Sequence, residues 1–226
     1  MNEEVSSSIY AGENEVLDNK TYLYLFIKRV FDIVVSLIGC MLLIPVIVIV
    51  KIASVINKDY DSIIYTQKRI GKNGKEFKLY KFRSMVVDAD TELEKILRKN
   101  KKLRKEYMKN RKLKNDPRIT KVGKIIRKTS IDELPQMINV LKGDMSMIGN
   151  RPYLPREMAA MGDYYDVIVR TKPGLTGYWQ VSGRSEVSFD YRLKLEKYYS
   201  ENYGLKMDFK IFIRTIKVVF RCKGAK

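Results

Sequence analysis

The chain has 226 residues, 45% hydrophobic and 31% charged, with 44 Lys plus Arg against 26 Asp plus Glu and a formal net charge of +18. That length allows one medium domain or two small ones, and the mixture excludes global disorder and a multi-span membrane protein. There is no His, and the only Cys are Cys40 and Cys222; His-based acid–base chemistry, a Ser-His-Asp triad, a zinc site and a disulfide framework are excluded, and a reducing compartment is the default. The positive excess calls for an anionic counterpart, whether nucleic acid, anionic lipid or a phosphorylated small substrate.

Residues 1–20 are polar and read as a flexible tail. Residues 21–57 hold an aromatic stretch (Tyr22, Tyr24, Phe26), the pair Lys28–Arg29, and then about 18 uncharged residues from Ile33 to Val50, in the range of a membrane helix. The run lies too far from the N-terminus for a signal peptide, and no small-residue cleavage site follows it. Pro45 predicts a kink or break within it, because proline removes a backbone donor and clashes with the preceding turn. Basic residues flank both ends, Lys28 and Arg29 on one side and Lys51 and Lys58 on the other. The asymmetry that orients a spanning helix is therefore weak, and a plain span and a re-entrant hairpin both fit the residues.

Residues 58–226 read as the remaining domain. Ile63–Gln67 and Phe77–Phe82 predict two short strands joined around Gly71-Lys72-Asn73-Gly74, since Asn-Gly is a strong hairpin signal. A helix with Leu93, Ile96 and Leu97 on one face follows and runs into the basic stretch Arg98–Lys114, which suits either a solvated face or contact with anionic headgroups. In Leu205–Arg221, Leu205, Phe209, Phe212, Ile216, Val219 and Phe220 make one face, and Lys206, Lys210, Arg214, Lys217 and Arg221 make the other. That pattern fits an interfacial membrane helix or a helix packed on its own domain with its basic side in water.

The segment Val122–Asp144 carries the most chemistry. Asp132 and Glu133 stand at a predicted helix start, set either by a Ser130–Glu133 capping box or by Pro135 in the first turn. Acids are favoured there by the helix dipole alone. Arg127 and Lys128 lie just upstream, however, and a positive field would keep Asp132 ionised and attract phosphate. An ionised carboxylate is a competent nucleophile toward phosphorus, and the pair could hold Mg2+ together with substrate phosphates. Two loops rich in turn residues follow. Met145–Pro155 contains Arg151, and Lys172–Arg184 contains Tyr178, Trp179 and Arg184. The guanidinium forks match phosphate oxygens and the rings could stack a base, although each residue also has an ordinary structural role open to it.

KFRSM (Lys81–Met85), SIDELPQMINVLKGDMS (Ser130–Ser146), NRP (Asn150–Pro152), KPGLTGYWQVSGR (Lys172–Arg184) and the apolar helix with Pro45 occur in this order. Together they resemble the bacterial sugar transferases, or monotopic phosphoglycosyl transferases, over roughly residues 22 to 226, in the small catalytic-domain form. The resemblance implies an α+β, mainly helical, membrane-associated fold with a small β-hairpin, a Pro-broken re-entrant helix and interfacial amphipathic helices. It implies transfer of a sugar-1-phosphate from a UDP-sugar to polyprenyl (undecaprenyl) phosphate with release of UMP and a need for Mg2+. The expected location is the cytoplasmic face of a bacterial inner membrane, at the first step of exopolysaccharide, capsule or O-antigen assembly.

The same resemblance makes Asp132 the covalent nucleophile and Glu133 its partner, the two sharing the metal. It places Arg127, Arg151, Arg184, Lys81 and Arg83 at the substrate and Pro45 at the helix break. The WQVSGR form points to UDP-galactose or UDP-glucose. Two departures stand out: Asn150 replaces the first Pro of the family's usual Gly-Pro-Arg-Pro, and Ile44 replaces the Ser that often precedes the helix-breaking Pro. The alternatives are a membrane-anchored basic protein that binds nucleic acid and an adaptor that binds a protein partner. Both leave the Asp132–Glu133 context unexplained, so no nucleic-acid partner is expected; self-association is left open.

Overall fold

A computed structural model describes residues 19–110, 113–183 and 187–220. The tail before Asn19, the loop residue Arg184 and the C-terminal Arg221 and Cys222 lie outside the described residues. The first element, α1 (Asn19–Ile56), is a single 38-residue helix, long and apolar enough to cross a membrane. Its buried residues are Tyr24, Asp32, Ser36, Gly39, Leu43, Val50 and Ser54, which fall on one stripe at helical period. Its outward face carries Leu23, Phe26, Val34, Ile38, Leu42, Ile49 and Ile56, all exposed. This reverses the arrangement of a helix on a water-soluble domain: the polar groups turn in and the apolar ones turn out.

Hydrogen bonds explain the inward polar face. Arg29 donates to the carbonyls of Val140 and Leu141 at 2.8 Å each. Asp32 Oδ1 accepts from the Met147 N–H at 2.8 Å and the Ser146 hydroxyl at 3.0 Å. Lys28 donates to the Ile148 carbonyl at 2.8 Å and pairs with Asp208. Lys28 and Arg29, expected as a basic flank facing the membrane surface, are instead consumed inside the protein. Of the kink or break expected at Pro45, a break is not seen, because helical structure continues through it. Leu43 before it and Val50 after it join one cluster with Phe82, Val122 and Ile126, so packing of both flanking turns holds the helix across the one lost donor.

The predicted hairpin is present as β1 (Ile64–Ile70) and β2 (Glu76–Phe82), antiparallel from Ile64 opposite Phe82 to Ile70 opposite Glu76. At its tip Asn73 and Gly74 both have positive φ, 55° and 75°, as a tight Asn-Gly turn demands. The first strand runs three residues beyond the sequence expectation. A helical pair follows, α2 (Ala89–Lys99) and α3 (Lys101–Asn110), and then α4 (Lys121–Lys128) and α5 (Gln136–Lys142).

The two glycine-containing loops read as separate in sequence are paired in space. β3 (Ser146–Ile148) lies parallel to β4 (Gly174–Thr176). The strands approach so closely at Gly174 that an added Cβ would lie 2.0 Å from the Gly149 nitrogen. Between them run the short helices α6 (Met158–Met161) and α7 (Tyr165–Ile168), and after them α8 (Tyr178–Val181), α9 (Phe189–Asn202) and α10 (Leu205–Phe220). The expected apolar face of α10 is split. Ile211 is buried with Ile148 and Tyr199 and Phe212 packs edge-on to Phe31 of α1 at 5.5 Å, whereas Leu205, Phe209 and Ile216 face outward.

Asp208 joins three elements: besides Lys28 it accepts from Tyr24 at 3.0 Å and Tyr199 at 2.8 Å. Burial, and then the Asp208 charge, push the Tyr199 hydroxyl well above the usual phenol range, so it remains a donor. Asp208→Ala strands a buried ammonium and two buried hydroxyls. It is expected to cost about 3–5 kcal/mol, read as a lower urea midpoint for the detergent-solubilised protein; an unchanged midpoint would show the junction to be incidental.

Candidate active site

The chain after α4 does not begin an α-helix at Asp132. Ser130 takes a left-handed conformation (φ 57°), its side chain makes no cap, and Ile131–Glu133 form one 3-10 turn before α5 starts at Gln136. The expected capping box is therefore absent, and its Glu is used elsewhere: Glu133 Oε1 accepts from Lys81 Nζ at 2.8 Å. α5 has seven residues and starts beyond the dyad, so side-chain cations, more than a helix dipole, make the field around the carboxylates.

Three backbone devices bring Lys81 to this turn. The Thr120 hydroxyl accepts from the Gly123 N–H at 2.9 Å and starts α4. Ser84, just past β2, lies so close to Gly123 that a Cβ there would fall 2.0 Å from its carbonyl oxygen. Asn139, fully buried on α5, accepts from the Tyr80 N–H at 3.0 Å and donates to the Lys78 carbonyl at 2.7 Å. Its amide completes the edge of β2 and sets the register of Lys81 against Glu133. Asn139 is not singled out by the sequence, because nothing in its spacing distinguishes it.

Burial raises the Asp132 carboxyl above the ordinary Asp value, and neighbouring Glu133 adds to the rise; Lys81 and Arg127 pull the other way. The expectation of a depressed value is corrected: the cations are present, but desolvation outweighs them. Arg127 is half-buried in the last turn of α4, and its charge acts on Asp132. Arg83 is placed differently from Lys81. Its Nε donates to Ser62 O at 2.5 Å, its Nη1 to Met85 O at 3.1 Å, and its Nη2 to Asp59 at 2.6 Å, so its fork is committed to the scaffold.

Arg151 lies in a second cationic cluster on the β3 loop. Its guanidinium sits 6.0 Å over the Tyr153 ring, and its backbone N–H donates to Glu196 Oε1 of α9 at 3.1 Å. Glu196 is 1% exposed, and burial lifts its carboxyl to about 7 against the opposing pull of Tyr153, Arg151 and Arg192. Arg192 and Glu196 escaped the sequence reading because α9 looks like an ordinary charged helix. Trp179 has the Arg192 guanidinium 4.6 Å over its ring, and Tyr178 packs against Tyr198 at 5.5 Å. Arg184 lies outside the described residues.

The hairpin connects the clusters. Lys81 stands opposite Tyr65, and Arg69, four residues further along β1, donates to the Pro152 carbonyl at 3.0 Å. At ~3.3 Å per residue the separation is roughly 13 Å along the strand, a distance that long side chains from both ends shorten. Asn150, in the place of the family's Pro, stiffens the same loop. Its Nδ2 lies 2.6 Å from Ser200 Oγ and 3.2 Å from both the Ile168 carbonyl and Thr171 Oγ1, and its own carbonyl accepts from the Gly174 N–H at 2.7 Å. Among the described residues no group of three or more Cys, Asp or Glu gathers as a closed metal cage. The dyad supplies two carboxylates, one of them already shared with Lys81.

The family model for Bacterial sugar transferase matches residues 23–222. The chain is 46% identical over 200 residues to the undecaprenyl-phosphate galactose phosphotransferase of Salmonella typhimurium, covering 88% of this chain and 42% of that protein. It is 44% identical over 200 residues to the UDP-galactose-lipid carrier transferase of Erwinia amylovora, with the same coverage of 88% and 42%. It is 38% identical over 198 residues to the exopolysaccharide production protein ExoY of Sinorhizobium fredii, covering 88% of this chain and 87% of that one. The chain thus spans less than half the length of the first two relatives and most of the third.

Asn150→Ala removes the buried amide, whose two N–H donors serve Ser200 and the neighbouring Ile168 and Thr171 oxygens. The expected cost is about 1–3 kcal/mol, seen as a lower thermal midpoint; a midpoint equal to the wild type would assign the loop's rigidity to the backbone alone.

Proposed function

The chain belongs to the bacterial sugar transferase family, and from that premise we propose that it transfers a sugar-1-phosphate from a UDP-sugar to a polyprenyl phosphate, releasing UMP. The observation that carries the reading is the Asp132–Glu133 pair, set beside Lys81 and Arg127 on a domain bound to an outward-apolar helix. A water-soluble anion and a lipid phosphate can both reach such a site. UDP-galactose is the preferred donor, with UDP-glucose second, supported by the WQVSGR segment and by the word galactose in the names of two relatives. The product would begin an exopolysaccharide, capsule or O-antigen repeat unit.

The mechanism has two displacements. An Asp132 carboxylate oxygen attacks the β-phosphorus, a P–O bond to Asp132 forms, and the bond to the bridging oxygen breaks so that UMP leaves. A phosphate oxygen of the polyprenyl phosphate then attacks the same phosphorus, and the Asp132–phosphorus bond breaks to restore the carboxylate. Lys81 and Arg127 offset the charge that gathers on the transferred phosphoryl group. Glu133 keeps the Lys81 ammonium in place. Mg2+, which accepts one or two carboxylates and completes its shell with substrate phosphates, fits the free oxygens of Asp132 and Glu133, and when bound it neutralises phosphate charge.

The apolar face of α1 is best satisfied inside one leaflet on the cytoplasmic side of the membrane. Tyr24 near its start is tied to Asp208 and Val50 near its end to the Phe82 cluster, so both ends rest on the same folded domain. A nucleic-acid or adaptor role is less favoured. Lys28, Arg29, Arg69 and Arg83 are spent on internal partners, which thins the positive charge left for a polyanion.

Two outcomes test the reaction. Enzyme mixed with Mg2+ and UDP-galactose but no lipid should release about one UMP per enzyme and gain a hexose-phosphate mass on the peptide holding Asp132, as expected for covalent catalysis by a carboxylate; Asp132→Asn should abolish both. UMP release that begins only when polyprenyl phosphate is added would point to direct transfer. In addition, the raised Asp132 carboxyl keeps its proton to a higher pH than a free Asp, for which the value is about 3.9. Activity should therefore fall, as pH is lowered, at a pH above that value. An acid limb at or below it would show that the cations at the site, bound Mg2+ among them, outweigh the burial of Asp132.

A further inference from the structure

Arg192 precedes Glu196 by four residues on α9, so the two share one helix face. Its guanidinium is held over two rings, Trp179 at 4.6 Å and Phe189 at 5.9 Å. Phe189 in turn meets the Tyr153 ring edge-on at 6.2 Å, and Arg151 lies over Tyr153. The two guanidinium groups thus lie against one linked aromatic pair, and both act on the buried Glu196 carboxylate.

Among the described residues this region has more donors than acceptors. The Nε atoms of Arg151 and Arg192 and the Trp179 indole N–H are buried donors with no hydrogen-bond partner; the Tyr153 and Ser182 hydroxyls, which can donate or accept, and the acceptor Gln180 Oε1 are buried and unpartnered too. Glu196 Oε1 is occupied by the Arg151 backbone N–H, and its buried Oε2 is without a partner. A buried polar group left unpaired is destabilising, so several in one place mark a site completed by something else. The missing group is rich in acceptors and negatively charged, since two guanidinium groups face a single carboxylate. A phosphate fits that description, and planar forks recognise it through paired N–H donors.

We propose that Arg192 is a second phosphate-binding residue of the nucleotide-sugar site: with Arg151 it grips the phosphate that departs in UMP, while Trp179 and Glu196 hold its guanidinium in place. The inference rests on the UDP-sugar reading above. It explains why Trp179 already has a cation on its face: the ring serves as a platform for Arg192 in place of a stacked base.

The test is steady-state UMP release by the full detergent-solubilised chain with Mg2+, UDP-galactose and polyprenyl phosphate, for wild type, Arg192→Ala and Arg192→Gln. Arg192→Gln keeps an aliphatic stem on Trp179 and guards against loss of folding, checked by its thermal midpoint. Both variants should raise KM for UDP-galactose about tenfold or more, the scale of one lost charge-assisted phosphate contact, and leave KM for the polyprenyl phosphate unchanged. Inhibition by UMP should weaken by a similar factor while inhibition by uridine does not. Unchanged KM and UMP inhibition in a folded variant would overturn the assignment, and so would equal loss toward UMP and uridine. Wild type that turns over no UDP-sugar would overturn the functional reading together with this one, whereas active wild type with indifferent variants would overturn this one alone.

Discussion

The structure depends on the inward polar face of α1. Lys28, Arg29 and Asp32 occupy successive positions on that face, and each ends on a different part of the domain. Arg29 takes the two carbonyls near the end of α5, the helix that follows the carboxylate pair. Asp32 holds the start of β3, the strand that leads into Asn150 and Arg151. Lys28 reaches α10 through Asp208. A helix that puts its charges inward must place its aliphatic surface outward, and that is favourable only against lipid or another apolar phase. The element that meets the membrane therefore also sets the spacing of the site.

The candidate site consists of two cationic clusters linked by one small hairpin. Near one end Lys81 and Arg127 surround carboxylates whose burial works against their charge; near the other, Arg151 and Arg192 surround a carboxylate buried more deeply. Neither the dyad nor Arg151 is built on a long helix. The dyad sits on a 3-10 turn, and Arg151 sits on a loop beside the short parallel pair β3–β4. Rigidity comes from side-chain amides at two buried positions, Asn139 against β2 and Asn150 against α9. At Asn150, hydrogen bonds do what ring closure does in a proline. This is a different route to a fixed loop, and it makes the loop depend on Ser200 and Thr171.

Features that arise from local chemistry were legible in the sequence. The Asn-Gly turn between two strands, the apolar run around Pro45, and a carboxylate pair preceded by Arg127 all depend on neighbours within a few residues. Features that depend on distant partners were not. Glu133 was read as half of a capping box because Ser130 stands three residues before it, yet it bonds to Lys81, which is 52 residues away in the chain. Lys28 and Arg29 were read as a topogenic flank because their internal acceptors lie more than 100 residues further on. The β3–β4 pair is three residues per strand, too short to leave a periodic signal. Arg192 and Glu196 lie on a helix whose charges show no obvious pattern, and only the fold reveals that two of them are buried beside Arg151. The pull of Arg127 on Asp132 was read correctly in direction; its burial depends on the folded surroundings.

The central claim is that α1 enters an apolar layer with both ends kept on the domain's side. It is tested most directly by cysteine accessibility in intact membrane vesicles, on a Cys40→Ser, Cys222→Ser background, with Lys20→Cys and Asn57→Cys examined one at a time. A membrane-impermeant maleimide should label both positions from the cytoplasmic side and neither from the opposite side. Labelling of one position from each side would mean that α1 crosses the membrane, and the account of an inverted helix anchored at both ends on one domain would be wrong.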